Sequence, residues 1–190
     1  ESVANRLVRL PSCGRPHVET DVRVVDEQGR EVSGEQIGEV VVRGEDVFKG
    51  YWGAPELSDE VLVNGWFHTG DLARVDEEGF IYLVDRKKDM IISGGFNVYP
   101  TEVEAVLYQH PAIFEACVIG VPDAQWGEGV KAVASLRPGA SATADVAARF
   151  CRERMADYKC PRTVDFAADL PKNASGKVAR KLVREPFWAG

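Results

Sequence analysis

Three short segments carry residue types that can act on a small anionic substrate. In Gly65-Trp66-Phe67-His68-Thr69-Gly70-Asp71-Leu72 a carboxylate follows a glycine at a loop-to-strand junction. Asp71 can accept two hydrogen bonds from a vicinal diol such as ribose, or cap the backbone of a turn. In Asp85-Arg86 the guanidinium either binds a sugar hydroxyl or phosphate, or pairs with Asp85. Third comes Lys172-Asn173-Ala174-Ser175-Gly176-Lys177, a loop with two lysines and a glycine. A mobile ammonium there can neutralise phosphate and carboxylate oxygens, which repel one another as an acid attacks a phosphoryl group. The alternative is a solvated basic surface, continued by Arg180, Lys181 and Arg184.

The elements that position these residues divide at Asp85-Arg86-Lys87-Lys88-Asp89, a charged run expected in an exposed connection. Before it, strands are expected over Asp21–Asp26, Ile37–Arg43, Leu72–Val75 and Phe80–Val84, with a turn at Asp76-Glu77-Glu78-Gly79 and a short helix from Pro55. Behind it, Met90-Ile91-Ile92 reads as a strand running into a tight turn at Gly94-Gly95. Pro100–Leu107 has proline at its head, acids in its first turn and an apolar face of Val103, Val106 and Leu107, the pattern of a helix start. A buried strand at Ala116–Val121 stops at Pro122, and an alternating strand covers Val130–Leu136. An amphipathic helix follows over Thr143–Met155, then a strand at Arg162–Phe166, and a basic helix ends at Arg184. The fold class expected is α+β: a small antiparallel β-rich part over 1–87, then a compact α+β domain over 88–190.

Composition narrows the function. The chain has 190 residues, 45% hydrophobic and 28% charged, which is ordinary globular material. A net charge of -7 argues against a nucleic-acid partner. No run approaches the roughly 18 apolar residues of a membrane span, and no signal peptide opens the chain. Cys13, Cys117, Cys151 and Cys160 lack paired spacing and read as the reduced thiols of a cytoplasmic protein. The scattered His17, His68 and His110 outline no metal site. Glu1 in place of an initiator methionine suggests a piece of a longer protein.

Taken together and in order, the motifs resemble the C-terminal part of the AMP-forming acyl-CoA synthetases (fatty-acid and aryl-CoA ligases), in the superfamily of adenylate-forming enzymes. The resemblance rests on Gly14-Arg15-Pro16, Gly38-Glu39-Val40, Gly50-Tyr51-Trp52 and Trp66 through Leu72. It continues through Asp85 to Ile91, Gly94-Gly95-Phe96-Asn97-Val98-Tyr99-Pro100 and Glu102-Val103-Glu104. It closes with Val118 to Asp123, Trp126-Gly127-Glu128, Tyr158-Lys159-Cys160-Pro161 and Leu170 through Lys177.

The resemblance implies a two-step ligase. A carboxylic acid, in the main a fatty acid, reacts with ATP and magnesium to give acyl-AMP, and the acyl group then passes to CoA. It implies that Asp71 and Arg86 hold the ribose of the nucleotide and that Lys177 bridges carboxylate and α-phosphate during adenylation. Lys88 falls at the hinge about which the C-terminal lid domain swings between half-reactions. Gly94 and Gly95 would line the pantetheine tunnel, and Trp126, Tyr158 and Lys159 lie where related ligases contact CoA. Acylation of Lys177 would remove the charge it needs, making it a point of control.

The departure from the family is at the front. The Ser/Thr/Gly-rich phosphate loop and most of the acyl-binding wall belong to a large N-terminal portion outside this chain, which alone is expected to be inactive. Glu1 would be the glutamate that helps hold magnesium, on the resemblance alone. Two other readings remain open: an adenylating enzyme that loads a carrier-protein pantetheine, and a non-catalytic binding or regulatory module.

Overall fold

In the computed structural model, residues 11–188 are described, and Glu1 lies outside them. The chain divides into two compact units, Glu1–Lys88 and Asp89–Gly190.

Among its described residues the first unit is a five-stranded antiparallel sheet with one short helix. Strands β1 (Thr20–Val25), β2 (Gly38–Gly44), β3 (Leu62–Val63), β4 (Trp66–Val75) and β5 (Ile81–Arg86) are joined by α1 (Pro55–Val61) between β2 and β3. The order is β1-β2-β4, with β3 and β5 sharing the far edge of β4. Alternation places Val22 and Val24 opposite Val42 and Val40, and with Ala73, Val75 and Ile81 these form the core. Two turns use the same device. Asp26 Oδ1 accepts the amides of Gln28 and Arg30, and Asp76 Oδ1 those of Glu78 and Phe80. Strand β3 was not expected. It pairs with Trp66 and Phe67 through the turn Asn64-Gly65, where Asn64 takes a φ of 52°.

Two expectations need correction here. Asp71 does not sit at a loop-to-strand junction but inside β4, which begins at Trp66. The strand stays continuous through a bulge: Glu39 and Val41 of β2 pair with Leu72 and His68 of β4, leaving Thr69-Gly70-Asp71 as the longer side. The charged run is not wholly an exposed connection either. Asp85 and Arg86 end β5, and Asp85 is buried, its carboxylate accepting the Arg86 amide at 2.7 Å. Only Lys87–Asp89 forms a connecting 3₁₀ turn.

The second unit is a mixed five-stranded sheet covered by helices. Its elements are β6 (Ile91–Ser93), β7 (Phe96–Val98), α2 (Pro100–Leu107), β8 (Ile113–Asp123), β9 (Gly127–Leu136), α3 (Ala144–Arg152), β10 (Thr163–Phe166) and α4 (Arg180–Trp188). The order is β10-β9-β6-β7, with β8 on the opposite edge of β9 and β10 parallel to β9. Period-two alternation in β8 explains its apolar run. Ala116 and Val118 join Val103 and Leu107 of α2 and Ala147 and Cys151 of α3 in one cluster, while Cys117 and Ile119 join Val183 of α4 and Leu170 from the loop before it in another. Strand β8 does not stop at Pro122, which pairs with Glu128. An edge strand tolerates the missing N–H of proline. Helix α3 is shorter than expected, with Thr143 as its cap accepting the Val146 amide. Helix α4 runs past Arg184 to Trp188, carrying Pro186 in its last turn.

Candidate functional site

In the first unit, the bulge at Gly70, whose φ of +71° suits glycine, aims the chain around Asp71. Thr69 Oγ1 donates to the Val40 carbonyl at 2.8 Å and accepts the Asp71 amide at 3.1 Å. Asp71 and Arg86 are cross-strand partners, and Arg86 Nε lies 2.8 Å from Asp71 Oδ1. The guanidinium therefore pairs with Asp71 rather than with Asp85. Both groups keep solvent access, with side chains 31% and 57% exposed, so a ligand hydroxyl can reach them.

Beneath this pair is a residue the sequence reading missed as a site residue. Glu39 is buried, and its carboxylate meets His68 Nδ1 at 3.1 Å, Lys87 Nζ at 2.9 Å and the Gly70 amide at 3.2 Å. Burial pushes its carboxyl up, but hydrogen bonds and charge from Lys87 and His68 outweigh this and hold it below the usual glutamate value. The available signal was an acid inside the valine run Gly38-Glu39-Val40-Val41-Val42. Lys88, two residues after Arg86, is exposed in the 3₁₀ turn.

In the second unit the two lysines of the Lys172–Lys177 loop part company. Lys172 is tied to Glu115 at 3.0 Å and Asp169 at 3.8 Å. Asn173 organises the loop: its Oδ1 accepts the amides of Ser175 and Lys177, its own amide donates to the Lys177 carbonyl, and Lys172 bridges to Val178. Lys177 thus has a held backbone and an exposed ammonium that, among the described residues, has no ion-pair partner. A fixed stem with a free charge suits binding of an anionic group.

The third cluster surrounds the Gly94-Gly95 turn between β6 and β7. Both glycines have positive φ, 59° and 83°, as a type I′ two-residue hairpin turn requires. Trp126 lies over Gly94, its carbonyl accepting the Gly94 amide at 2.9 Å, and a Cβ on Gly94 would overlap its ring. The Arg162 guanidinium lies over this indole, 4.6 Å from the ring centre. Across the hairpin, exposed Phe96 packs on Tyr158 at 4.9 Å. Lys159 is differently placed. Burial works against its charge, but its salt bridge to both Glu102 oxygens, at 2.7 and 2.8 Å, raises its pKa. The structure thus brings Gly94 and Trp126 together, and Tyr158 with Phe96, a residue the sequence reading did not single out. Among the described residues no hydrogen bond or ion pair joins Lys177 to this cluster.

Comparison with known proteins places these features. Residues 102–177 match the family model of the AMP-binding enzyme C-terminal domain, and residues 2–52 that of the AMP-binding enzyme. Feruloyl-CoA synthase of Amycolatopsis sp is 48% identical over 94% of this chain and 36% of its own length. A long-chain-fatty-acid–CoA ligase of Escherichia coli O157:H7 is 46% identical over 92% of this chain and 31% of its own. Among solved structures, ATP-bound MatB from Rhodopseudomonas palustris superposes with a TM-score of 0.87 at 39% identity, covering 93% of this chain and 36% of that one. The o-succinylbenzoate CoA synthetase of Bacillus subtilis, in complex with its acyl-adenylate intermediate, gives 0.86 at 37%, covering 96% and 37%. The chain belongs to the AMP-binding, adenylate-forming enzymes. It spans about a third of the length of the curated relatives it matches. Among the described residues no helix is long and apolar enough to cross a membrane.

Proposed function

We propose that this chain is the C-terminal part of an ATP-dependent acyl-CoA ligase that converts a carboxylic acid, in the main a fatty acid, to acyl-AMP and then to its CoA thioester. In the first step a carboxylate oxygen attacks the α-phosphorus and the bond to pyrophosphate breaks. In the second, the CoA thiol attacks the acyl carbonyl, loses its proton, and AMP leaves. Asp71 would accept the ribose hydroxyls through its solvent-facing carboxylate, oriented by Arg86, which adds its own donors. Lys177 would offset the charge shared by carboxylate and α-phosphate as they approach. The Gly94-Gly95 turn with Trp126 would wall the pantetheine arm, Tyr158 would carry CoA's flat base, and Lys159 would stand beside it, its charge already shared with Glu102.

Lys88 would be the hinge and residues 88–190 the mobile lid, because one site cannot present a charge-neutralising lysine and a thiol channel at once. The missing N-terminal portion would supply the phosphate loop and acyl pocket, leaving this chain alone without turnover. Magnesium accompanies ATP in this chemistry. The described residues contain no cluster of three or more groups able to hold a metal, so its ligands would come from Glu1 or from that portion. Four free thiols, three of them buried, suit a cytoplasmic setting.

The observation that carries this reading is the exposed Lys177 ammonium on its Asn173-held loop, without an ion-pair partner among the described residues, in a chain whose first unit presents the Asp71–Arg86 pair. The test is AMP release by the full-length parent with ATP, magnesium, CoA and a panel of short, medium, long and aromatic acids. CoA-dependent release supports the ligase and names its acid. ATP–pyrophosphate exchange with no CoA-dependent turnover overturns CoA as acceptor and favours a carrier protein. No turnover with any acid overturns the reading.

A further inference from the structure

Helix α4 begins three residues after Lys177, and its contacts reach back to the start of the second unit. Val183 anchors the helix in the cluster with Cys117, Ile119 and Leu170. On either side of that anchor stand Arg180 and Arg184, four residues apart and therefore on one helix face. The Arg180 guanidinium forks onto Glu104, with Nη1 to Oε1 at 2.7 Å and Nη2 to Oε2 at 3.3 Å, and its Nη1 also donates to the Val118 carbonyl. Its Nε lies 3.7 Å from Asp89 Oδ2. Glu104 in turn accepts the Val118 amide at 2.7 Å. These three side chains are largely shielded, at 20%, 13% and 26% exposure.

Arg184 repeats the pattern one turn on. Its Nη2 donates to Glu128 Oε1 at 3.0 Å, while Glu128 Oε2 accepts the Ile92 amide of β6 at 2.9 Å. Trp188 closes the helix, its Nε1 donating to the Gly120 carbonyl at 2.9 Å under the Arg184 guanidinium. Both arginines thus reach, directly or through one carboxylate, the segment Asp89–Ile92. That segment follows Lys88 and ends two residues before Gly94.

We propose that Arg180 and Arg184 are positioning residues that brace the Lys177 loop and the Asp89–Gly95 segment into one piece, so that the lysine and the Gly94-Gly95 hairpin are held at a fixed separation. The inference rests on the ligase reading for its kinetic consequence. Lys177 serves the first step of that reading and the hairpin serves the second. A loosened brace therefore misplaces both, whereas loss of Lys177 harms only adenylation. Small misplacements of positioned groups are costly to rate.

The test uses the full-length parent with Arg180→Gln, Arg184→Gln, Arg184→Lys and Lys177→Ala. Adenylation is read by ATP–pyrophosphate exchange and thioester formation from supplied acyl-AMP, each normalised to folded, nucleotide-binding enzyme. Hydrogen exchange is followed at Ile92. The expected result is a loss of about tenfold or more in kcat of both half-reactions for Arg180→Gln, with ATP KM nearly unchanged. Faster exchange at Ile92 is expected in Arg184→Gln, restored by Arg184→Lys. Lys177→Ala is expected to lose adenylation alone, with Ile92 unchanged. If Arg180→Gln prevents folding, the half-exposed Arg184 supplies the same readouts. Folded variants with both half-reactions intact and unchanged Ile92 exchange would overturn the brace, as would a loss confined to adenylation. If the parent shows neither half-reaction the ligase reading falls, and the Ile92 exchange still decides the brace.

Discussion

Asp71 and Arg86 face each other across β4 and β5, with Arg86 Nε 2.8 Å from Asp71 Oδ1. Two residues fifteen positions apart, each weak as a motif, form one solvent-facing donor–acceptor pair. Exposed pairs of this kind contribute only about 0–1 kcal/mol to stability. Asp71→Asn and Arg86→Gln should therefore leave Tm of the full-length parent within a few degrees while weakening ATP and AMP binding. Calorimetric titration with AMP checks this. Arg86→Lys should not rescue, because an ammonium lacks the planar donor fork.

Glu39 gives the first unit a defined response to acid. Its carboxyl titrates below the ordinary value of 4.5 despite burial, because Lys87 and His68 donate to it. A group with a lowered folded pKa stabilises fully above its unfolded value, and that stability is lost as pH falls through the folded one. Stability should thus drop as pH falls below about 4.5, and Glu39→Gln should flatten that part of the profile in urea titrations. Glu39→Ala should cost about 1–3 kcal/mol at neutral pH, since it leaves the Gly70 amide and the Lys87 ammonium without their shared acceptor.

The two glycines of the β6–β7 turn should respond differently to the same substitution. Asparagine tolerates the left-handed region better than other side chains. A Cβ at Gly95 meets nothing within 4 Å, whereas one at Gly94 meets the Trp126 ring. Gly95→Asn should be close to neutral in Tm. Gly94→Asn should displace Trp126, lower Tm, and under the ligase reading slow thioester formation more than adenylation. Trp126 fluorescence in the two variants tests the displacement independently of activity.

What could be read from sequence was what is decided locally. Gly94-Gly95 announces its turn because a type I′ two-residue hairpin needs positive φ at both positions, and Pro100 with Glu102 announces a helix start. Asn64-Gly65 carried a comparable signal for β3 that went unused. What was misread depends on partners far along the chain. Pro122 reads as a stop unless β8 is known to be an edge strand. The bulge that carries Asp71 exists only through the register of β4 on β2, and Glu39 finds Lys87 48 residues later. Likewise, that Lys172 is held in an ion pair depends on Glu115 of β8, 57 residues earlier in the chain.

The most direct test of the central claim compares the two half-reactions in the full-length parent with and without Lys177→Ala. If the exposed ammonium serves adenylation, acyl-AMP formation should fall at least about a hundredfold, as for loss of a charge-stabilising group. Thioester formation from supplied acyl-AMP and CoA should change little. Comparable losses in both half-reactions, or none in either, would contradict the role assigned to Lys177.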